Sequence, residues 1–278
     1  MEAMFAAVMG IVQGVSEFLP SSSSGHLLLA ERLLGLLGYD PSVNAQSFAV
    51  MLHMGTLLAV FAVFFRDWMN MLRHPVRDRT LLLLFAASLP ALVLYLLLGD
   101  RLDAAFGGWF LGVSFLVTAL FLVMLQLLSG GGKHRARKAA PDMPSALEMG
   151  AFQAVALLPG VSRSGATLLG GVRSGMTREA AARFSFMMSA PAILGSFLSE
   201  GKDALEAGGL GTLFTLESLV GLAFAAVSGW LAIRFMLSLI RRINFYWFAA
   251  YVAVVGIAVV IMQLTGFAGF PPIAFPAG

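Results

Sequence analysis

Two stretches without a charged residue, Thr80–Leu98 and Trp109–Ser129, constrain this chain more than anything else in it. They are 19 and 21 residues long. A helix rising about 1.5 Å per residue needs about 20 apolar residues to cross a hydrocarbon layer roughly 30 Å thick. Inside that layer every backbone N–H and C=O must be satisfied within the segment, so the two runs predict membrane-spanning helices. Composition extends the argument to the whole chain: 59% of its 278 residues are hydrophobic, 12% are charged and 23 are Phe, too few charges to cover a soluble surface. An all-α polytopic membrane protein follows. There is no cysteine, which removes disulfides and thiolate chemistry. The net charge is only +3, and most basic residues fall between apolar runs where they set orientation, so no nucleic-acid partner is expected.

In chain order, Ala3–Ala30 holds one charged residue, Glu17, but Pro20-Ser21-Ser22-Ser23-Ser24-Gly25 cuts the run into halves of about 14 residues, roughly 21 Å each. Each half is too short to span, so residues 3–38 predict a re-entrant helical hairpin, tolerated at depth only where protein or water satisfies its turn. With Glu2 at the start and Gln13 and Glu17 interrupting the apolar core, no cleavable signal is read here. A span at 47–65 follows, then Arg66, Arg73, Arg77 and Arg79, the span 80–98, a short loop with Asp100, Arg101 and Asp103, and the span 109–129. Lys133, Arg135, Arg137 and Lys138 form a second basic loop, an even number of spans from the first, so both are expected in the cytoplasm.

The second half repeats the first. Met149-Gly150 matches Met9-Gly10, and at the same offset of 140 Ser162 falls on Ser22, Ser164 on Ser24, Gly165 on Gly25 and Leu168 on Leu28. Across a four-residue gap, Phe184-Ser185-Phe186 pairs with Phe48-Ala49-Val50. Spans at about 180–199, 211–237 and 245–265 complete the chain, with Glu200, Asp203 and Glu206 in one connection and Arg241-Arg242 in the next. The expectation is one membrane domain of about six full spans plus two re-entrant hairpins, 3–38 and 145–176, in inverted repeats 1–140 and 141–278, with both hairpin tips near mid-membrane.

The tips carry the chemistry. Arg163 is the only Asp, Glu, Lys or Arg between Met149 and Val172, and it sits in Pro159-Gly160-Val161-Ser162-Arg163-Ser164-Gly165-Ala166-Thr167. A solvated turn would be the plain explanation, but a charge at membrane depth is costly and marks function. A helix N-terminus with a guanidinium and the hydroxyls of Ser162, Ser164 and Thr167 suits phosphate oxygens. In the first tip Gln13 and Glu17 share a helix face one turn apart, with Ser22, Ser23, Ser24, Gly25 and His26 just beyond. Glu17 suits a general base or a carboxylate holding a divalent cation beside phosphates, and His26 or Ser23 suits a nucleophile. Phospho-histidine, phospho-serine and direct attack by water need the same neighbours and stay open. His53 reads as a packed histidine, and His74 and His134 as solvated ones.

Glu17-Phe18-Leu19-Pro20, Ser22-Ser23-Ser24-Gly25-His26 and Pro159 to Thr167 resemble the two signature regions of the bacterial undecaprenyl pyrophosphate phosphatase family, also called bacitracin-resistance proteins. The resemblance runs over nearly the whole chain, Arg241-Arg242-Ile243 included. It implies hydrolysis of a C55 polyprenyl pyrophosphate to the monophosphate and phosphate, which recycles the carrier of envelope synthesis. It also implies a site of Glu17, Ser23, His26, Ser162, Arg163, Ser164 and Thr167. Gln13 stands where many members have a glutamate, which puts a metal-binding carboxylate pair in doubt. Magnesium or calcium is expected through substrate phosphates plus Glu17, with no cage of protein oxygens. The implied partners are the polyprenyl pyrophosphate and the lipids of a bacterial plasma membrane, and pairing with a second copy stays open. A broken-helix transporter or lipid flippase is the alternative. Ser24-Gly25-His26 and Ser162-Arg163 also echo the acid-phosphatase-like lipid phosphatases, but no histidine follows Arg163 to serve as their nucleophile, which excludes that class.

Overall fold

A computed structural model describes residues 2–38, 45–75, 77–130, 138–206, 211 and 213–273. The basic residues Lys133, Arg135 and Arg137, and His134, lie outside them. The described residues form twelve α-helices and no strand: α1 Glu2–Phe18, α2 Ser23–Gly35, α3 Ala45–Val63, α4 Phe65–Arg73, α5 Thr80–Ala105, α6 Leu111–Gly130, α7 Met143–Val155, α8 Arg163–Arg173, α9 Arg178–Met187, α10 Ser189–Glu206, α11 Leu216–Leu239 and α12 Phe245–Thr265. The membrane class is evident in what these helices leave outside. Leu96, Leu264 and Trp247 are 74%, 72% and 78% exposed, a surface that water would not tolerate and lipid does.

Five helices are long and apolar enough to span: Thr80–Ala105, Leu111–Ser129, the continuous pair Arg178–Ser199, Leu216–Leu239 and Phe245–Thr265; α3 with α4 makes a sixth if that bent pair is one span. The sequence places the third run at 47–65; the helix stops at Val63 and turns by 76° into α4, which carries Arg66 and Arg73 away from the apolar direction. The run expected to end at Leu98 does lose helical geometry there (φ −131°), yet the chain resumes helix to Ala105.

Short helices pair around each polar break. α1 and α2 meet at residues 19–22, α7 and α8 at residues 156–162. With 17, 13, 13 and 11 residues they measure about 26, 20, 20 and 17 Å, all short of a bilayer. The starts of α2, α7 and α8 have side-chain caps that relieve orphan N–H groups. Ser22 Oγ accepts from Gly25 N at 3.4 Å, Ser162 Oγ from Gly165 N at 3.1 Å, and Asp142 from Ser145 N at 3.0 Å. Asp142 also takes a hydrogen bond from Lys138, and together with Ser145 this holds its carboxyl down to about 2.

The two hairpins lock onto opposite halves of the chain. α1 lies along α11 and α7 along α5. A Cβ on Gly10 would overlap the Gly221 carbonyl, and one on Gly150 the Ala87 carbonyl, so glycines 140 positions apart permit equivalent backbone approaches. Gly150→Val should therefore cost about 1–3 kcal/mol by overpacking against rigid backbone. An unchanged melting temperature in detergent would contradict that packing.

The open ends of the hairpins sit at opposite ends of α6 and α12. Arg32 of α2 donates to the carbonyls of Gly269 (2.7 Å) and Gly107 (3.5 Å), in the layer where Gln263 bonds Gly108 and Trp109. At the other end Arg178, just after α8, donates to the Ile243 carbonyl (2.9 Å) and to Gln126 (3.4 Å), and Arg241 pairs with Glu179.

Candidate active site

The hairpin tips touch. Gly160 has φ +92°, a left-handed turn open to glycine, and its Cα lies 2.9 Å from where a Cβ on Gly25 would stand, so neither tip has room for a larger residue. Thr118 of α6 fixes the second tip by donating to the Gly160 carbonyl (2.8 Å) and accepting from Ser162 N (2.8 Å). Ser164 Oγ then donates across to the Leu19 carbonyl at 3.0 Å, satisfying a carbonyl at the end of α1. Ser22 adopts φ +77°, a strained value for a residue with a side chain, at the first tip.

Between the tips lies Glu17, at the last turn of α1 and 7% exposed. Its Oε1 accepts from Arg163 Nη2 at 2.6 Å, and its Oε2 from Ser23 Oγ at 2.6 Å and Gln13 Nε2 at 3.0 Å. Arg163 Nη1 donates to the Ser185 carbonyl at 2.8 Å, so both arms of the guanidinium are in use. A buried ion pair gains little over an apolar pair, but removing one partner leaves a stranded charge and costs about 3–5 kcal/mol. Phe18 and Phe186 close the pair off edge to face at 5.4 Å. Thr167 Oγ1 bonds Ser185 Oγ at 2.6 Å and so braces the strut on which Arg163 rests.

The twelve residues singled out from the sequence thus divide by place. Gln13, Glu17, Ser23 and Arg163 form one contact set, with Ser164 and Thr167 bracing it. Ser22, Gly25, Ser162 and Gly165 build the two helix starts, and Ser24 lies 3.5 Å from the Ser22 hydroxyl. His26 occupies a different wall. Its Nδ1 meets the Ser22 carbonyl at 2.7 Å and its Nε2 the Tyr251 hydroxyl at 2.9 Å, with Tyr251 stacked on the ring. That ring borders a groove of about 510 Å³ between α1 and α12, lined by Ile11, Val15, Leu19, Trp247 and Tyr251 among others.

Three site neighbours escape the sequence reading. Ser185 carries Arg163, Tyr251 carries His26, and His53, taken as a packed histidine, turns its Nε2 to within 3.9 Å of Glu17 Oε2. The repeat held a signal for two of them. It aligns Ala49 with Ser185, and these two carbonyls receive His53 Nδ1 (2.8 Å) and Arg163 Nη1 (2.8 Å).

A divalent cation fits this donor set only in a limited sense. Among the described residues no three His, Cys, Asp or Glu side chains gather as a metal site. Glu17 is the one carboxylate in the contact set, and both its oxygens have partners.

Fold and site together define a polytopic helical membrane protein with a carboxylate–guanidinium–hydroxyl cluster enclosed by two broken-helix tips. The chain belongs to the bacitracin resistance protein BacA family, whose pattern it matches over residues 6–258. An undecaprenyl-diphosphatase of Carboxydothermus hydrogenoformans is 34% identical over 268 residues, covering 96% of this chain and 99% of the relative. One from Halothermothrix orenii is 36% identical over 264 residues (94% and 98%), and one from Rubrobacter xylanophilus 40% identical over 263 residues (90% and 94%).

Proposed function

We propose that the protein hydrolyses undecaprenyl pyrophosphate to undecaprenyl phosphate and inorganic phosphate, the activity by which its relatives are named and one consistent with bacitracin resistance. The observation that carries the reading is the short Ser23–Glu17–Arg163 chain between the tips. A serine hydroxyl donating to a buried carboxylate is an activated nucleophile, and a guanidinium beside it clamps phosphate oxygens. Glu17 takes the Ser23 proton as Oγ attacks the terminal phosphorus. The anhydride P–O bond breaks, the lipid monophosphate leaves with that proton, and water releases phosphate from Ser23. His26 is the weaker candidate nucleophile because Nε2 is engaged by Tyr251.

Glu17, together with the substrate's own phosphate oxygens, would hold a magnesium or calcium ion, which would supply neutralisation of the charge on the leaving phosphate. Purified protein should release phosphate from a long polyprenyl pyrophosphate and lose that activity to a chelator. Chelator-resistant turnover would remove the cation, and no turnover at all would favour transport.

The halves 1–140 and 141–278 are inverted repeats with re-entrant hairpins, in the inner membrane of a bacterium. Support comes from the hairpins' open ends at opposite ends of α6 and α12, and from the equivalent approaches of Gly10 and Gly150. Loop charges put Arg241 and Arg242 in the cytoplasm and Arg101 outside. As the chain has no cysteine, Arg101→Cys should react with an impermeant thiol reagent added to intact cells and Arg242→Cys should not; equal labelling would overturn the topology. A homodimer would show as twice the chain mass of 29.5 kDa in light scattering.

A further inference from the structure

His53 stands on α3 and, among the described residues, is the one titratable side chain paired with Glu17 that the proposed reaction does not use. Its Nδ1 lies 2.8 Å from the Ala49 carbonyl. A carbonyl only accepts, so Nδ1 carries the hydrogen and Nε2 is the ring atom turned toward the site. Nε2 lies 3.9 Å from Glu17 Oε2, too far for a hydrogen bond. A third atom at hydrogen-bond distance from both, about 2.8 Å from each, would bridge them, because the two sides of that triangle together exceed the gap. The His53 side chain is 29% exposed against 6% for Glu17, so His53 is the less enclosed member of the pair. The same Oε2 accepts from Ser23 Oγ, which puts the bracketed position beside the group that receives phosphate.

We propose that His53 Nε2 and Glu17 Oε2 hold between them the water that hydrolyses phosphorylated Ser23. The inference rests on the reading of Ser23 as nucleophile. In the step, the water oxygen attacks phosphorus and the Oγ–P bond breaks with its electron pair on Oγ. One water proton passes through Glu17 to Oγ, and the other stays on the departing phosphate. His53 orients the water, so it acts after the lipid monophosphate has left. This explains a histidine fixed by its Nδ1 on an otherwise apolar span, where its polarity has no packing value.

The test separates the two ring nitrogens. Asparagine places its amide near the Nδ1 position and glutamine near Nε2, so His53→Asn keeps the anchor on Ala49 and loses the reach to the water, and His53→Gln does the reverse. With purified protein and a long polyprenyl pyrophosphate, His53→Asn should lower kcat by about 10²-fold, the scale on which misplacing a reacting group is felt. KM should fall in step, leaving kcat/KM nearly unchanged, and phosphoserine should accumulate in acid-quenched samples. His53→Gln should recover most of the rate, with no accumulation. Equal rates in the two variants, a better rate in the asparagine variant, or a slow variant without trapped phosphoserine would each overturn the assignment. Ser23→Ala is the control for the underlying reading: if it keeps near-normal turnover, the covalent route falls, whereas an inactive Ser23→Ala beside a normal His53→Asn removes His53 alone.

Discussion

Glu17→Gln should abolish phosphate release while the lipid pyrophosphate still binds. The amide keeps the volume and retains an oxygen to accept from Arg163 Nη2 and an NH2 that Ser23 Oγ can accept, with Gln13 turning its amide oxygen inward, so the tip-to-tip contact at 2.6 Å has a neutral substitute. What it cannot do is remove the proton from Ser23, whose Oγ lies 2.6 Å from Oε2. Loss of a positioned base removes about 10²–10⁴ in rate. Binding is kept or tightened because the carboxylate's repulsion of an incoming polyanion disappears and Arg163 is freed to meet it. Stability moves the other way, since the buried guanidinium loses its countercharge. The measurement is kcat alongside equilibrium binding of the pyrophosphate and a melting temperature. Turnover within a few-fold of the unsubstituted protein would take Glu17 out of the reaction.

What could be read from the sequence depended on whether the cause was local. The uncharged runs 80–98 and 109–129 mark helices because the solvent they need is written in their own residues. The starts of α2 and α8 are readable because Ser22 and Ser162 cap N–H groups three residues on. The Glu17–Arg163 pair spans 146 positions and was still inferable, since the sequence leads one to expect both tips near mid-membrane. His53 was not. A single imidazole on an apolar helix looks the same whether it faces a carbonyl or a carboxylate, and its relation to Glu17 depends on how α3 is rotated against α1. The 76° turn at Phe64 was equally silent, with neither proline nor glycine near it to weaken the helix. Ser185 acts through its backbone carbonyl, a group every residue possesses, so its identity could not advertise the role.

Arg163→Lys tests the other half of the site and retains its charge. Two separate guanidinium nitrogens are in use, Nη1 on the Ser185 carbonyl at 2.8 Å and Nη2 on Glu17 Oε1 at 2.6 Å. A planar fork serves both acceptors at once and can turn the same pair of donors to phosphate oxygens. An ammonium is a single point. Drawn to Glu17 by charge, it leaves the Ser185 carbonyl to other donors, at a cost of about 1–3 kcal/mol if none replaces it. It also presents one donor position where a bidentate one stood. Removing one preorganised donor from developing charge costs about 10²–10³ in kcat, so kcat/KM on a long polyprenyl pyrophosphate should fall by at least about 10²-fold. The fold should survive, because Glu17 still faces a cation, whereas Arg163→Ala would strand the carboxylate and confound activity with unfolding. The informative pair of measurements is therefore kcat/KM and melting temperature in the lysine variant. A stable protein with near-normal kcat/KM would mean that any cation serves, and the fork between the two tips would lose its place in the chemistry.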